Sequence, residues 1–477
     1  MTSRRAGLVV CLLLTVAWTS LSTTGCDPCK SCSTTKVHHT PTVTATATSS
    51  ASHTPTATST PTATSTATPT ASASKTATPT STPTPAPNAC LPSSSLSVLV
   101  QGTNATAYLP QGGWALGSAA VKVVPIETSS GLGTGGAPTT ITTAAVPNSC
   151  SSNSDTGETV CVGNNTDVYL INGTTLSSTL TSGATSTQTF SGGQCMNCGV
   201  VVDSTTNRAL IAIGLSSGGP GGFQFLDLGG TPAFEPVIPA RVGTSEDVSI
   251  DPVRHLLLSP NESFENGGQS DYQIVNVSTS TAALFNNTTP ALGPQSWDSA
   301  GEDCTTGIAL ATDEGTGSLF IADLTQAVFT PGTPGTWSDT ASQLQNFPEF
   351  DAFEAGTNGI AVAPGTHLGI VTGEFGGNLE GVIQLPATSG SGTPAVVDWV
   401  AFTVPNLPSE SPWSEGFDPH TVTAYVSPNS KKAFGVLENG DFSFLAVVDL
   451  QGLLSASRTG HVVNEPLPAG LVTFIAE

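Results

Sequence analysis

A short apolar phrase recurs along this chain and limits the folds open to it. The phrase is two apolar residues, then Asp, Asn or a relative, then usually Leu or Val. It reads FLDL at 225–228, IVNV at 274–277, IADL at 321–324, VIQL at 382–385 and VVDL at 447–450. Weaker copies are VVPI at 123–126 and LING at 170–173. Successive third positions lie between 47 residues (Pro125 to Asn172) and 65 residues (Gln384 to Asp449) apart. A second run precedes most copies: CGVVVD from Cys198, DVSIDP from Asp247, TGIALATD from Thr306, NGIAVAP from Asn358 and HTVTAYVSP from His420. Between the two lies a third: RALIAI from Arg208, HLLLS from His255, SLFIA from Ser318, HLGIV from His367 and KAFGV from Lys432. Each unit therefore predicts three short strands joined by turns, with a fourth strand of poor signature. A sheet this small cannot bury both faces alone, and stacking such sheets radially does bury them. The expectation is an all-β chain folded as a β-propeller over residues 89–477. Seven copies predict seven blades, and the weakness of the first two leaves six open.

The phrases GIAVAP and VSIDP, each followed by a further strand and then a copy such as VVDL, resemble the repeats of YVTN-type and lactonase-like propellers. The resemblance covers about residues 95–477 and implies an architecture more than an activity. The turns depart from that pattern: few carry Pro-Asp-Gly, and SPNSKK is the nearest. The terminal GLVTFIAE reads as a strand that closes the ring against the first blade.

Upstream, Arg4 and Arg5 precede LVVCLLLTVAW, an apolar run at 8–18. That run is too short to span a bilayer, which needs about 20 residues, and fits a secretory signal over 1–25. Thr23-Thr24-Gly25-Cys26 resembles a bacterial lipobox, with Thr23 where that pattern favours Leu. The resemblance implies acylation of Cys26 and an exported chain anchored to the bacterial membrane, facing periplasm or cell exterior. Residues 26–88 are dominated by Thr, Ser, Pro and Ala. Such a segment buries too little apolar surface to offset chain entropy, so a disordered, extended stalk is expected.

Residues 89–477 carry 7 Lys+Arg against 34 Asp+Glu, a formal charge of −27. That excess argues against nucleic acid as a partner and leaves divalent cations open. Placed by alignment of the repeats, Glu246, Asp247, Asp303 and Asp418 are expected at the channel mouth. Glu302, Asn358 and His420 join them as polar neighbours. Carboxylates converging on one axis repel unless protons or a cation intervene, and oxygen ligands at that density suit Ca²⁺; a solvated channel without metal is the competing expectation. His255 and His367 fall in equivalent hairpin turns and read as repeat residues rather than a catalytic pair. GLSSG at 214–218 matches G-x-S-x-G, but a glycine loop and a strand follow where a nucleophile elbow needs a helix. Cysteines in an exported chain pair by default, and Cys150 with Cys161 is the expected bridge.

These readings favour a non-catalytic binding or scaffold module, lipid-anchored, with an unidentified protein or small-molecule ligand. The alternative is a lactonase- or hydrolase-like propeller enzyme with a divalent metal at the channel mouth.

Overall fold

The computed structural model describes residues 96–111, 118–163, 165–182, 197–213, 222–239, 248–261, 271–285, 297–313, 317–330, 335–338, 343–347, 357–373, 379–388, 393–401, 421–439, 444–456 and 470–476. Cys26 and the stalk lie outside them, as do Glu246, Asp247, Asp418 and His420. Valine, isoleucine, leucine and threonine dominate the apolar phrases, and such side chains suit a pleated surface packed on both faces. The phrases accordingly become strands buried along their whole length, as in IALATD and SLFIAD.

Seven antiparallel sheets follow one another along the chain. Blade 1 is β1 (Ser97–Gln101), β2 (Asn104–Pro110) and β3 (Ala120–Thr128), with β4 (Gly131–Leu132) and β5 (Thr139–Thr142) both on β3. Blade 2 is β6 (Pro147–Ser152), β7 (Glu158–Gly163), β8 (Asp167–Asn172) and β9 (Thr175–Thr181). Blade 3 is β10 (Asn197–Asp203), β11 (Arg208–Ile213) and β12 (Gly222–Asp227), edged by β13 (Ala233–Phe234) and β14 (Ile238–Pro239). Blade 4 is β15 (Ser249–Asp251), β16 (Leu256–Asn261), β17 (Asp271–Asn276) and β18 (Thr281–Phe285). Blade 5 is β19 (Trp297–Asp303), β20 (Ile308–Asp313) and β21 (Ser318–Asp323). Its chain then detours. β22 (Val328–Thr330) and β23 (Gly335–Ser338) join the outer edge of blade 4 before β24 (Gln343–Asn346) completes blade 5. Blade 6 is β25 (Thr357–Ala363), β26 (Leu368–Gly373), β27 (Leu379–Gln384) and β28 (Ala395–Ala401). Blade 7 is β29 (Thr421–Val426), β30 (Ala433–Asn439), β31 (Phe444–Asp449) and β32 (Val472–Ala476), with helix α1 (Leu450–Ser455) between its last two strands.

The chain is thus a seven-bladed β-propeller, and every copy of the recurring phrase falls on the third strand of a blade. Seven apolar clusters fill the seven seams, one between each pair of neighbouring blades. Cys150 and Cys161 form the expected disulfide, 4.1 Å apart at Cα. They face each other across β6 and β7 and are fully buried in the seam between blades 1 and 2. The bridge therefore belongs to a core as much as to the turn it spans.

The end of the chain corrects one expectation. The strand of GLVTFIAE, β32, pairs with β31 and is the outer strand of blade 7 itself. Blade 1 supplies all of its own strands, so the ring closes through side chains. Leu96, Val98 and Ile126 of blade 1 pack against Tyr425, Phe434 and Val447 of blade 7. Within that seam Glu127, 3 % exposed, accepts hydrogen bonds from Tyr425 Oη (3.1 Å), Ser427 Oγ (2.6 Å) and Asn429 Nδ2 (2.9 Å). Replacing Glu127 by Ala leaves two buried hydroxyl donors, Tyr425 Oη and Ser427 Oγ, without this acceptor, while Asn429 keeps the carbonyl oxygens of Thr103 and Thr128. The replacement should lower the free energy of unfolding by about 3 kcal/mol. Glu127→Gln, which keeps an acceptor, should lose less. Denaturant midpoints at unchanged slope measure both, and a loss for Glu127→Ala within about 0.5 kcal/mol would mean the apolar seam closes the ring unaided.

Candidate functional site

The first strands of neighbouring blades lie side by side, so they form the inner wall of the ring. The turns after the first strands of blades 2 to 7 share one construction, in which the fifth residue takes a positive φ. In all of these but blade 6, where Ala363 uses its carbonyl oxygen, a side chain at the strand end accepts from backbone N–H groups two or three residues on. Asn153 Oδ1 holds the N–H groups of Asp155 and Thr156; Asp203 Oδ1 holds that of Thr205; Asp251 Oδ1 holds those of Val253 and Arg254. Asp303 Oδ1 holds Thr305 N–H, and Ser427 Oγ those of Asn429 and Ser430. The fifth residues are Gly157, Asn207, His255, Gly307, His367 and Lys431, with φ from 54° to 78°. Short polar side chains at these ends mimic a backbone turn, and the left-handed residue sends the chain back. His255 and His367 are thus turn residues of the repeat, as their spacing indicates.

These turns also bind blade to blade. Asn153 Nδ2 donates to Asn207 Oδ1 at 2.6 Å, from blade 2 to blade 3. Arg254 pairs with Asp251 in its own turn and donates to Cys304 O of blade 5 at 3.0 Å. His367 Nδ1 lies 2.6 Å from Asp303 Oδ2, joining blade 6 to blade 5. Asn429 joins blade 7 to blade 1 through Glu127 and the carbonyl oxygens of Thr103 and Thr128. One face of the ring therefore carries a belt of short polar contacts.

Asp303 belongs to this belt. Beyond its contact with His367, it accepts from Thr305 N (3.0 Å), Thr305 Oγ1 (2.5 Å) and Thr306 Oγ1 (3.0 Å). Glu302 and Asp303 end β19, whereas Asn358 is the second residue of β25. First strands run the same way in every blade, so the two acids and Asn358 sit at opposite faces of the ring. The structure does not bring these three together at one mouth. The reason is β19 itself. Its sequence, WDSAGED, is polar, so the apolar TGIALATD reads as the first strand when it is the second. Cys304, just past β19, is disulfide-bonded. Among the described residues no group of three His, Cys, Asp or Glu side chains could hold a metal ion.

Two carboxyls are buried in the seams: Glu302, expected at the channel mouth, and Glu380, which the sequence did not single out. Glu302 is 2 % exposed, and its Oε1 accepts Leu258 N–H of blade 4 at 3.2 Å. Burial, reinforced by the charge of Asp251, holds its pKa well above the ordinary carboxylate range. Glu380, in β27, is fully buried and neither side-chain oxygen has a hydrogen-bond partner. Its pKa is also well above the ordinary range, from burial. By strand alternation Glu380 shares the face of Val382, which packs in the seam between blades 6 and 7.

No protein-family model matches the chain, and no curated protein matches it by sequence. Solved structures resemble its fold. Kuenenia stuttgartiensis hydrazine synthase aligns with a TM-score of 0.50 at 11 % identity, over 74 % of this chain and 94 % of that one. A chain of the mitotic checkpoint complex aligns at 0.47 and 10 % identity, over 73 % of this chain and 84 % of its own length. The structure of U3-55K aligns at 0.42 and 10 %, over 81 % and 96 %. Identities this low speak to the propeller fold alone.

Glu380 yields a prediction about pH. A carboxyl whose folded pKa is raised binds its proton more tightly folded than unfolded. Its contribution is full below the unfolded value, near 4.5, and is lost as pH rises towards the folded one. Glu380→Gln stays neutral throughout. It should be more stable than the parent at neutral pH and show a shallower fall in unfolding free energy from pH 4.5 upwards. Parallel pH profiles for parent and variant would place the ionisation elsewhere.

Proposed function

We propose that this chain is a non-catalytic binding or scaffold module: a rigid seven-bladed platform, exported, acylated at Cys26 and held away from a bacterial membrane by the 26–88 stalk. The observation that carries the reading is the use made of the turn carboxylates. Asp203, Asp251 and Asp303 are each bonded within their own turn, and Asp303 also reaches the neighbouring blade. Asp303, the one candidate ligand of the sequence that lies among the described residues, serves instead to fix the wall of the ring, as Asp203 and Asp251 do in their own turns. A fixed wall with variable loops is what a platform for a partner requires, and propellers as a class host such roles. The lipobox resemblance and the composition of the stalk support the anchor and spacer.

Two measurements test the reading. Cys26→Ala should move the mature protein from the membrane to the soluble fraction, because the acyl chains on that residue hold it. A variant as membrane-bound as its parent removes the anchor. Thermal unfolding in Ca²⁺ and in NaCl of matched ionic strength should give equal midpoints. A cation bound only by the folded state would add RT ln(1 + [L]/Kd), about 2.7 kcal/mol at a hundredfold excess over Kd. A rise specific to Ca²⁺ would put the metal-dependent hydrolase in first place.

A further inference from the structure

Glu302 stands where blades 3, 6 and 7 have valine. Those counterparts are Val202, Val362 and Val426, and all four face a small residue on the second strand: Ala209, Ala309, Gly369 and Ala433. Blade 4 has Ile250 there and blade 2 Ser152, so Glu302 is the one acid at this position in blades 2 to 7. Only one of its oxygens is bonded, to Leu258 N–H; Oε2 has no hydrogen-bond partner. Ser249, the register partner of Leu258, has a buried hydroxyl in the same condition. The charged groups that act on Glu302 are Asp251 and Arg254 of blade 4, which pair with each other. Asp303, next on its own strand, is turned to Thr305, Thr306 and His367.

The outer half of the same seam is held by different means. The detour of blade 5 lays β23 in parallel register on β18 of blade 4, and β22 on β23. Trp337 of β23 is buried in the cluster between blades 4 and 5, with Leu258, Ile274 and Ala300. This strap fastens the outer rims of the two blades. On its other flank blade 5 meets blade 6 through Asp303 and His367, an ion pair only while the imidazole carries a proton.

We infer that blade 5 is a proton-locked hinge, tied to blade 4 at the outer rim by the β22–β23 strap and at the inner rim by a Glu302 carboxyl that keeps its proton while it stays in the seam. A neutral carboxyl there accepts from Leu258 N–H and puts no charge in the seam, at the lesser cost of an O–H without an acceptor. An ionised one is a charge in an apolar seam, beside Asp251, with one oxygen unpartnered. Opening the seam to water restores Glu302 to an ordinary carboxylate. The open form therefore binds fewer protons, and opening becomes easier as pH rises above about 4.5.

Hydrogen exchange of the full chain at about pH 5 and about pH 8, corrected for intrinsic rates, tests this. Protection of Leu258 and of β19 and β20 should fall by about tenfold or more, since each pKa unit between closed and open seam is worth a factor of ten. Blade 2 should change little. Glu302→Gln is neutral at both pH values and should abolish the fall. Glu302→Val, the residue of blades 3, 6 and 7, should do the same and guards against a glutamine that packs badly. Unchanged protection in blade 5 of the parent, or a fall that survives in both variants, overturns the hinge. A fall spread evenly over all seven blades overturns it as well, because that is global loss of stability and not local opening.

Discussion

The chain itself crosses from blade to blade at six seams of the ring, and at the seventh it does not. Blade 7 must hold blade 1 by side chains, because no strand of either pairs into the sheet of the other. The apolar part is a large cluster in which the rings of Tyr425 and Phe434 stack with centroids 5.7 Å apart. The polar part is Glu127 with its three donors. Burial and the adjoining Glu127 charge drive the Tyr425 pKa upward, so its hydroxyl stays a donor at all ordinary pH. A linear array of repeats would melt from its ends, each unit touching only its neighbours. Closing the seventh seam removes those ends and makes every blade internal, so the stability of the whole ring passes through this contact.

A ring of sheets still exposes seven outer edges, and unpaired edges invite association. The chain handles them in different ways. β9 is a seven-residue strand of Thr, Leu and Ser without charge, and a register shift between Leu170 and Ile171 disrupts its edge. β28 has a similar shift between Val382 and Ile383, and it turns Asp398 inward, 3 % exposed. Blade 4 is covered by the hairpin of blade 5, which passes the edge to β22. That strand is only three residues long, and its Val328, 62 % exposed, is the most exposed large apolar side chain among the described residues.

What was legible in the sequence follows the same physics. Third strands are buried on both faces and read as apolar phrases, so all seven blades could be counted from them. First strands are another matter. They lie at the crowded axis, where small and hydroxyl side chains serve better than large ones. Ser149 and Ser151 of β6 accept the N–H groups of Val200 and Val202 of β10, an arrangement that apolar side chains could not make. PNSCSS and WDSAGED therefore carry no strand signal, and misplacing the second put Glu302 and Asp303 at the wrong end of their strand. The disulfide was legible because its two cysteines flank a turn. The partnership of Asp303 with His367 was not, because 64 residues separate them and only the ring brings their turns together.

The presence of Glu302 at a valine position has a local cause. Burying a valine there would contribute about 1.5–3 kcal/mol, so stability alone does not select a carboxyl. What the carboxyl supplies is an acceptor: Leu258 N–H of blade 4 donates to Glu302 Oε1 across the seam, a bond that no aliphatic side chain could accept. The side chain thus exchanges apolar burial for a tie between two blades. Protonated, it makes that tie without placing a charge in the seam. Ionised, it makes the same tie at the cost of a buried charge beside Asp251, so the bond between the blades and its proton dependence are one feature of this residue.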